Sequence, residues 1–208
     1  PDLLFGIDAA LNGENLITTY LFRNTFEITA EQLGEAGWLI DYLIDDGAVV
    51  YINETEVFRT PSMPAGAVET TTLSNLGNET ASSTGSINLS GILVEGTNSI
   101  AVEVHQTSLE SSDVGFQLQL TPAPQNPTEE DPFQVTGAWD YLDRIENENG
   151  TNLGYPIDGS GNAWNSVAFD VATSTIGPWE SEDVPIQTGA IDGFPGAPDL
   201  LFGIDAAP

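Results

Sequence analysis

The chain has no cysteine and no lysine, a single histidine (His105) and a single methionine (Met63). Without cysteine there can be no disulfide staple and no thiolate metal site, although the compartment stays open. One histidine leaves no His-based metal triad. Arg23, Arg59 and Arg144 are the only basic residues against 32 acids, for a formal charge of −29. So few cations cannot neutralise a phosphate backbone, which excludes nucleic acid as a partner. Anionic membrane surfaces are disfavoured for the same reason. No apolar run approaches transmembrane length, and no basic segment precedes an apolar one as in a signal peptide. Membrane insertion is therefore not expected within this segment. No phosphate-binding loop is present, and no pair of carboxylates has the setting of a glycosidase. The expectation is a non-enzyme.

What is present is a repeat. Pro1-Asp-Leu-Leu-Phe-Gly-Ile-Asp-Ala-Ala10 returns letter for letter as Pro198–Ala207, 197 residues downstream. A period of that length matches one whole domain, not a short solenoid unit. It predicts a tandem array of near-identical beads, seen through a window out of phase with the bead, and the missing start methionine fits a window cut from a longer chain. The strong acidity repels itself unless salt screens it or divalent cations bridge it.

Short alternating runs between Gly, Asn, Asp and Thr clusters predict an all-β fold. In 18–28, Tyr20, Phe22, Phe26 and Ile28 share one face, while Thr19, Arg23, Thr25 and Glu27 share the other. Thr29-Ala-Glu-Gln32 has the spacing of a capping box for one helical turn. Strands are expected over 38–45 and 48–58, the second folding into a hairpin at Asn53-Glu54. Two more are expected over 98–105 (Ile100, Val102, Val104 inward) and 114–120 (Phe116, Leu118, Leu120 inward). Residues 121–132 hold four prolines, three acids and no large apolar side chain, the composition of a semi-rigid spacer. The expected division is 1–122 as the C-terminal part of one unit, 123–132 as spacer and 133–208 as the N-terminal part of the next. Residues 133–197 lack long alternating runs and are expected to pack with 1–122 of an adjacent unit.

Several residues could carry chemistry. Asp45-Asp46-Gly47 sets two adjacent carboxylates at a strand end, where they could supply hard oxygen ligands to Ca²⁺ or cap backbone amides in a turn. His105 and Gln106 end a strand, and Asp113 opens the next. They could form a rim site, or His105 could be a hydrogen-bonded residue of the strand edge. Asp158-Gly-Ser-Gly-Asn162 reads as a second oxygen-rich loop or as a turn. Trp139 and Trp164 sit in patterned segments that suit a core. Trp179, after Gly177-Pro178, is the better candidate for an exposed sugar-stacking ring. Asn53, Asn78, Asn88 and Asn149 each head an N-x-Ser/Thr sequence.

The segments Ile17–Phe26, Asp45–Phe58, Met63–Gly66, Asn98–Gln106 and Ser112-Asp113, with Trp139-Asp-Tyr141, Trp164 and Trp179, resemble a jelly-roll (galactose-binding-like) accessory module of large secreted bacterial tandem-repeat proteins. Glu54 departs from the glycine usual at that hairpin, which implies a longer or looser turn. Asp45-Asp46-Gly47 is similar to the Asp-Asp-Gly of PA14-type sugar-binding domains, whose paired aspartates hold calcium. The resemblance implies a jelly-roll β-sandwich in an extracellular or cell-surface setting. Combined with the repeat, it leads us to expect a calcium-stabilised structural unit of a filament, fibre or adhesin stalk, with neighbouring copies joined head to tail. The alternative is a carbohydrate-binding module of a secreted multidomain protein, with glycans as partners.

Overall fold

A computed structural model describes residues 17–33, 37–77, 83–109, 113–122, 138–142, 152–176, 179–183 and 202–205. The elements are β1 (Thr19–Ile28), α1 (Ala30–Leu33), β2 (Trp38–Asp45), β3 (Gly47–Ile52), β4 (Thr55–Arg59), β5 (Ser83–Ile87), β6 (Gly96–His105), β7 (Asp113–Pro122) and β8 (Ala138–Leu142). A 3₁₀ turn (Val171–Thr173), β9 (Glu180–Asp183) and β10 (Phe202–Asp205) follow. Two sheets form an all-β sandwich, in the orders β4-β3-β6-β1-β8-β9 and β10-β7-β2-β5. Every described strand pair is antiparallel. Among the described residues no helix is long and apolar enough to cross a membrane.

The alternation in the sequence builds the space between the sheets. Tyr20, Phe22, Phe26 and Ile28 of β1 point inward with Ile100, Val102 and Val104 of β6 and Phe116, Leu118 and Leu120 of β7. Phe22 stacks on Phe116 at 4.9 Å, and Trp139 meets Phe116 edge-on at 5.3 Å. Each such side chain contributes about 1.5–3 kcal/mol when fully buried. As expected from their patterned segments, Trp139 and Trp164 are core residues. The capping box also forms: Thr29 N–H donates to Gln32 Oε1 and Gln32 N–H to Thr29 Oγ1.

The sequence pattern implies a solvated outer face on β1 and β6, yet Leu21, Arg23, Ala101 and Glu103 on that face are buried too. The cover is residues 152–176. Trp164, Phe169 and Ile176 pack on Leu21, Ala101 and Leu142. Arg23 fastens them, donating to the Phe169 carbonyl at 3.0 Å and the Ser166 carbonyl at 3.2 Å, with its guanidinium 5.0 Å from the Phe169 ring centre. Burial pulls the Arg23 pKa down, and the Asp140 charge opposes that shift.

Within this chain β8 pairs with β1 and β9 with β8, so strands from 133–208 extend the sheet that contains β1 and β6. Thr121 and Pro122 still belong to β7, and residues 123–132 of the expected spacer lie outside the described residues. Arg144 lies outside them as well.

The hairpin also differs from expectation. Asn53 and Glu54 form a two-residue turn with φ of 47° and 68°, the left-handed pair of a type I′ connection. It is tight because Asn53 is held on three sides. Its Nδ2 donates to the Ile92 carbonyl and to Asn98 Oδ1, and its Oδ1 accepts from Ser99 N–H. Farther from the turn, the β3–β4 register shifts between Val50 and Tyr51.

Candidate binding site at one end of the sandwich

The strand registers bring five of the six predicted site residues to one end of the molecule. Asp45 ends β2 opposite Gly115, and Asp113 opens β7 two residues beyond that pair. Asp46 forms the corner where the chain leaves one sheet for the other. Gly47 then pairs with His105 of β6, itself opposite Thr19, and Gln106 follows. Of Asp113 only the backbone is described; it pairs with Asp205.

The corner is lined with oxygen. Asp46 Oδ2 accepts from Thr107 N–H at 2.7 Å, and the Asp46 carbonyl accepts from Ser62 Oγ at 3.0 Å. Thr60 Oγ1 lies 2.9 Å from Ser62 Oγ, and Ser74 Oγ donates to the Leu76 carbonyl at 2.9 Å. Asp45 and Asp46 are only 1% and 2% exposed. Gly47 has a different role from the expected freedom to turn. A Cβ there would lie 2.8 Å from Met63 Sδ and 2.9 Å from Ser74 Oγ. The corner closes because that position has no side chain. Gly77 is similarly close, its would-be Cβ 3.3 Å from Asp46 Oδ1. In the same two loops, Leu76 and Leu109 expose large apolar side chains. Among the described residues, no group of three or more Asp, Glu, His or Cys gathers as a metal site. Calcium accepts six to eight oxygen ligands of mixed type. The polar side chains at this corner offer oxygen alone, a donor type that suits calcium better than a metal needing nitrogen or sulfur.

His105 faces the opposite direction, into the outer layer, and is fully buried. Its Nδ1 lies 2.9 Å from Thr19 Oγ1 and 2.7 Å from the Thr72 carbonyl, and its Nε2 lies 3.2 Å from Glu103 Oε2. It is a hydrogen-bonded residue of the strand edge, the second of the two readings its sequence position allowed. The Gln106 backbone ties the end together: its N–H donates to the Thr18 carbonyl and its carbonyl accepts from Ser74 N–H. Trp179 is placed elsewhere. It packs edge-on against Phe169 at 5.7 Å, part of the cover over the outer face.

Sequence reasoning missed a buried acid. Glu103 is 0% exposed and accepts from Tyr51 Oη on one oxygen and Tyr155 Oη on the other, each at 2.5 Å. Burial, followed by the Glu103 charge and hydrogen bond, pushes both tyrosine pKa values up. The available signal was a carboxylate in the middle of the apolar run Ile100–Val104.

The Asp158 loop resolves into a structural turn. Its carboxylate accepts from the backbone N–H groups of Ser160, Asn162 and Asp170 and from Asn162 Nδ2. Burial disfavours the charge, but the hydrogen bonds from Asn162, Asp170 and Ser160 outweigh it and hold the carboxyl at about 2. The pattern of donors leaves this carboxylate fully used within its own loop.

No family model matches the chain, and no curated protein matches its sequence. Solved structures share its fold. The chain is similar to part of the Streptomyces avermitilis α-L-rhamnosidase solved with L-rhamnose, at 18% identity and a TM-score of 0.51, covering 88% of this chain and 14% of that one. It is also similar to part of the GH78 rhamnosidase of Bacillus sp. GL1, at 16% identity and a TM-score of 0.50, covering 88% of this chain and 18% of that one. The chain thus spans less than a fifth of either enzyme, and the likeness establishes a β-sandwich fold found within glycoside hydrolases.

Proposed function

We propose that this chain is a non-catalytic carbohydrate-binding module of a larger secreted protein, reading sugar at the Asp45–Asp46 end of the sandwich. The observation that carries the reading is the buried Asp46, whose carboxylate accepts from Thr107 N–H and whose carbonyl accepts from Ser62 Oγ, next in sequence to the equally buried Asp45. Calcium, when bound, would be held by the Asp45 and Asp46 carboxylates with neighbouring carbonyl and hydroxyl oxygens, and would order the loops at this rim that meet the sugar. Exposed Leu76 and Leu109 suit the apolar face that a deoxy sugar turns toward protein. Occurrence of the fold within rhamnosidases supports an accessory role and an extracellular setting, and it makes L-rhamnose the first sugar to test.

The test is a glycan array probed with the full chain in calcium and again in chelator. Retention on rhamnose-bearing or related glycans in calcium alone is expected; absence of binding to every glycan in both buffers overturns the reading.

A second reading, the structural unit of an extracellular filament, fibre or adhesin stalk, is favoured by the exact repetition of residues 1–10 at 198–207. The two are compatible, since an array can carry a sugar site on every unit.

A further inference from the structure

Four asparagines of this chain head an N-x-Ser/Thr sequence, and the fold separates the two that lie among the described residues, Asn53 and Asn88. Glycosyl transfer to such an asparagine needs a free Nδ2 and a surface open to the transferase and its donor. Asn53 does not offer a free Nδ2. One of its hydrogens goes to the Ile92 carbonyl at 2.9 Å and the other to Asn98 Oδ1 at 2.8 Å, and Thr55 is already part of β4. Asn88 and Ser90 are both exposed. The Asn88 side chain makes one hydrogen bond among the described residues, Oδ1 accepting from Ser90 N–H at 3.0 Å. Its Nδ2 and the Ser90 hydroxyl are left unengaged. Between them Leu89 is 2% exposed, and its carbonyl accepts from the N–H groups of Ile92 and Leu93. The open acceptor therefore sits on a turn anchored in the core.

We infer that Asn88 is an N-glycosylation site of the folded chain and that Asn53 is not, although both carry the same sequence signal. The donor class is a glycosyl diphosphate. Asn88 Nδ2 attacks the anomeric carbon, the bond from that carbon to the diphosphate oxygen breaks, and the diphosphate leaves with the electron pair. The amide proton goes to a base of the transferase, and nothing is oxidised or reduced. The position is compatible with a site at the other end of the sandwich. Ile87 pairs with Trp38 at the start of β2, and Asp45 ends that strand. At about 3.4 Å per residue, the length of β2 sets the two ends roughly 20 Å apart, so a glycan on Asn88 leaves the Asp45–Asp46 rim open. It stands one residue beyond β5, the outer strand of its sheet, whose Ser-Thr-Gly-Ser-Ile sequence has neither charge nor proline to discourage pairing with another chain. The inference is independent of sugar binding at the rim.

The test incubates the full folded chain, purified free of glycan, with a soluble N-glycosyltransferase and UDP-glucose, and locates the added hexose by mass spectrometry of proteolytic peptides. Each asparagine is scored separately. Asn88 should be occupied, and Asn53 at least about tenfold less, since freeing its Nδ2 breaks two hydrogen bonds. Asn88→Gln should remove the hexose from that peptide and keep the wild-type melting temperature, because the side chain is exposed. Offered to the same enzyme after complete cleavage at the arginines, the chain should be modified at both positions. Asn88 left bare in the folded chain, or Asn53 modified there to the same extent, overturns the inference. Failure to modify Asn53 in the cleaved chain assigns the contrast to local sequence instead of the fold, and overturns it as well.

Discussion

Tyr155 Oη donates to Glu103 Oε2 at 2.5 Å, joining the cover over the outer face to the middle of β6 across 52 positions of sequence. Tyr51 supplies the other oxygen from β3. A carboxylate buried in this way depends on its donors, and losing the Tyr155 hydrogen bond, with only His105 Nε2 at 3.2 Å remaining beside Oε2, costs about 1–3 kcal/mol. Tyr155→Phe should therefore lower the urea-unfolding free energy by that amount while leaving the far-ultraviolet circular dichroism unchanged. Wild-type stability in Tyr155→Phe would mean that water replaces the phenol.

Asp158 gives the acid limb of stability a defined sign. Its folded carboxyl titrates at about 2, below the ordinary aspartate value near 3.9. A depressed carboxyl contributes stability that is fully present above the unfolded value and is lost as pH falls toward the folded one. The difference in melting temperature between wild type and Asp158→Asn should be constant above about pH 5 and shrink between about pH 4 and pH 2. A difference that does not change over that window would contradict the assignment.

Two substitutions at turns should act in opposite directions. Gly47→Ala pushes a methyl group into Met63, Ser62 and Ser74, and overpacking of this kind costs about 1–3 kcal/mol. Glu54→Gly relieves a left-handed residue with φ of 68°, worth about 1 kcal/mol. Chemical denaturation of the two variants should give midpoints below and above wild type, respectively.

Strands buried on one face were legible because alternation records that asymmetry: Tyr20, Phe22, Ile100, Val102, Phe116 and Leu118 all point as their spacing indicates. Other features left no such record. Ser83–Ile87 is polar and joins β2 through its backbone, a contact that composition does not encode. Leu21, Arg23 and Glu103 are buried by residues far along the chain, so their face reads as solvated until 152–176 is in place. The repeated decapeptide was visible as a repeat but not as a strand, because pairing depends on the edge it meets. At the candidate site the sequence located the acids Asp45 and Asp46. It did not place Thr60, Ser62, Ser74 and Thr107 around them, since common residues at long separation carry no motif.

The most direct test of sugar recognition at this end is calorimetric titration of L-rhamnose into the full chain, in calcium and in chelator, with Asp45→Asn/Asp46→Asn alongside. Saturable binding at one site per chain is predicted in calcium, lost in chelator and lost in the double variant, while the melting temperature of that variant no longer responds to calcium. Absence of heat in calcium, or equal heat from the double variant, would contradict the assignment of this rim as the binding site.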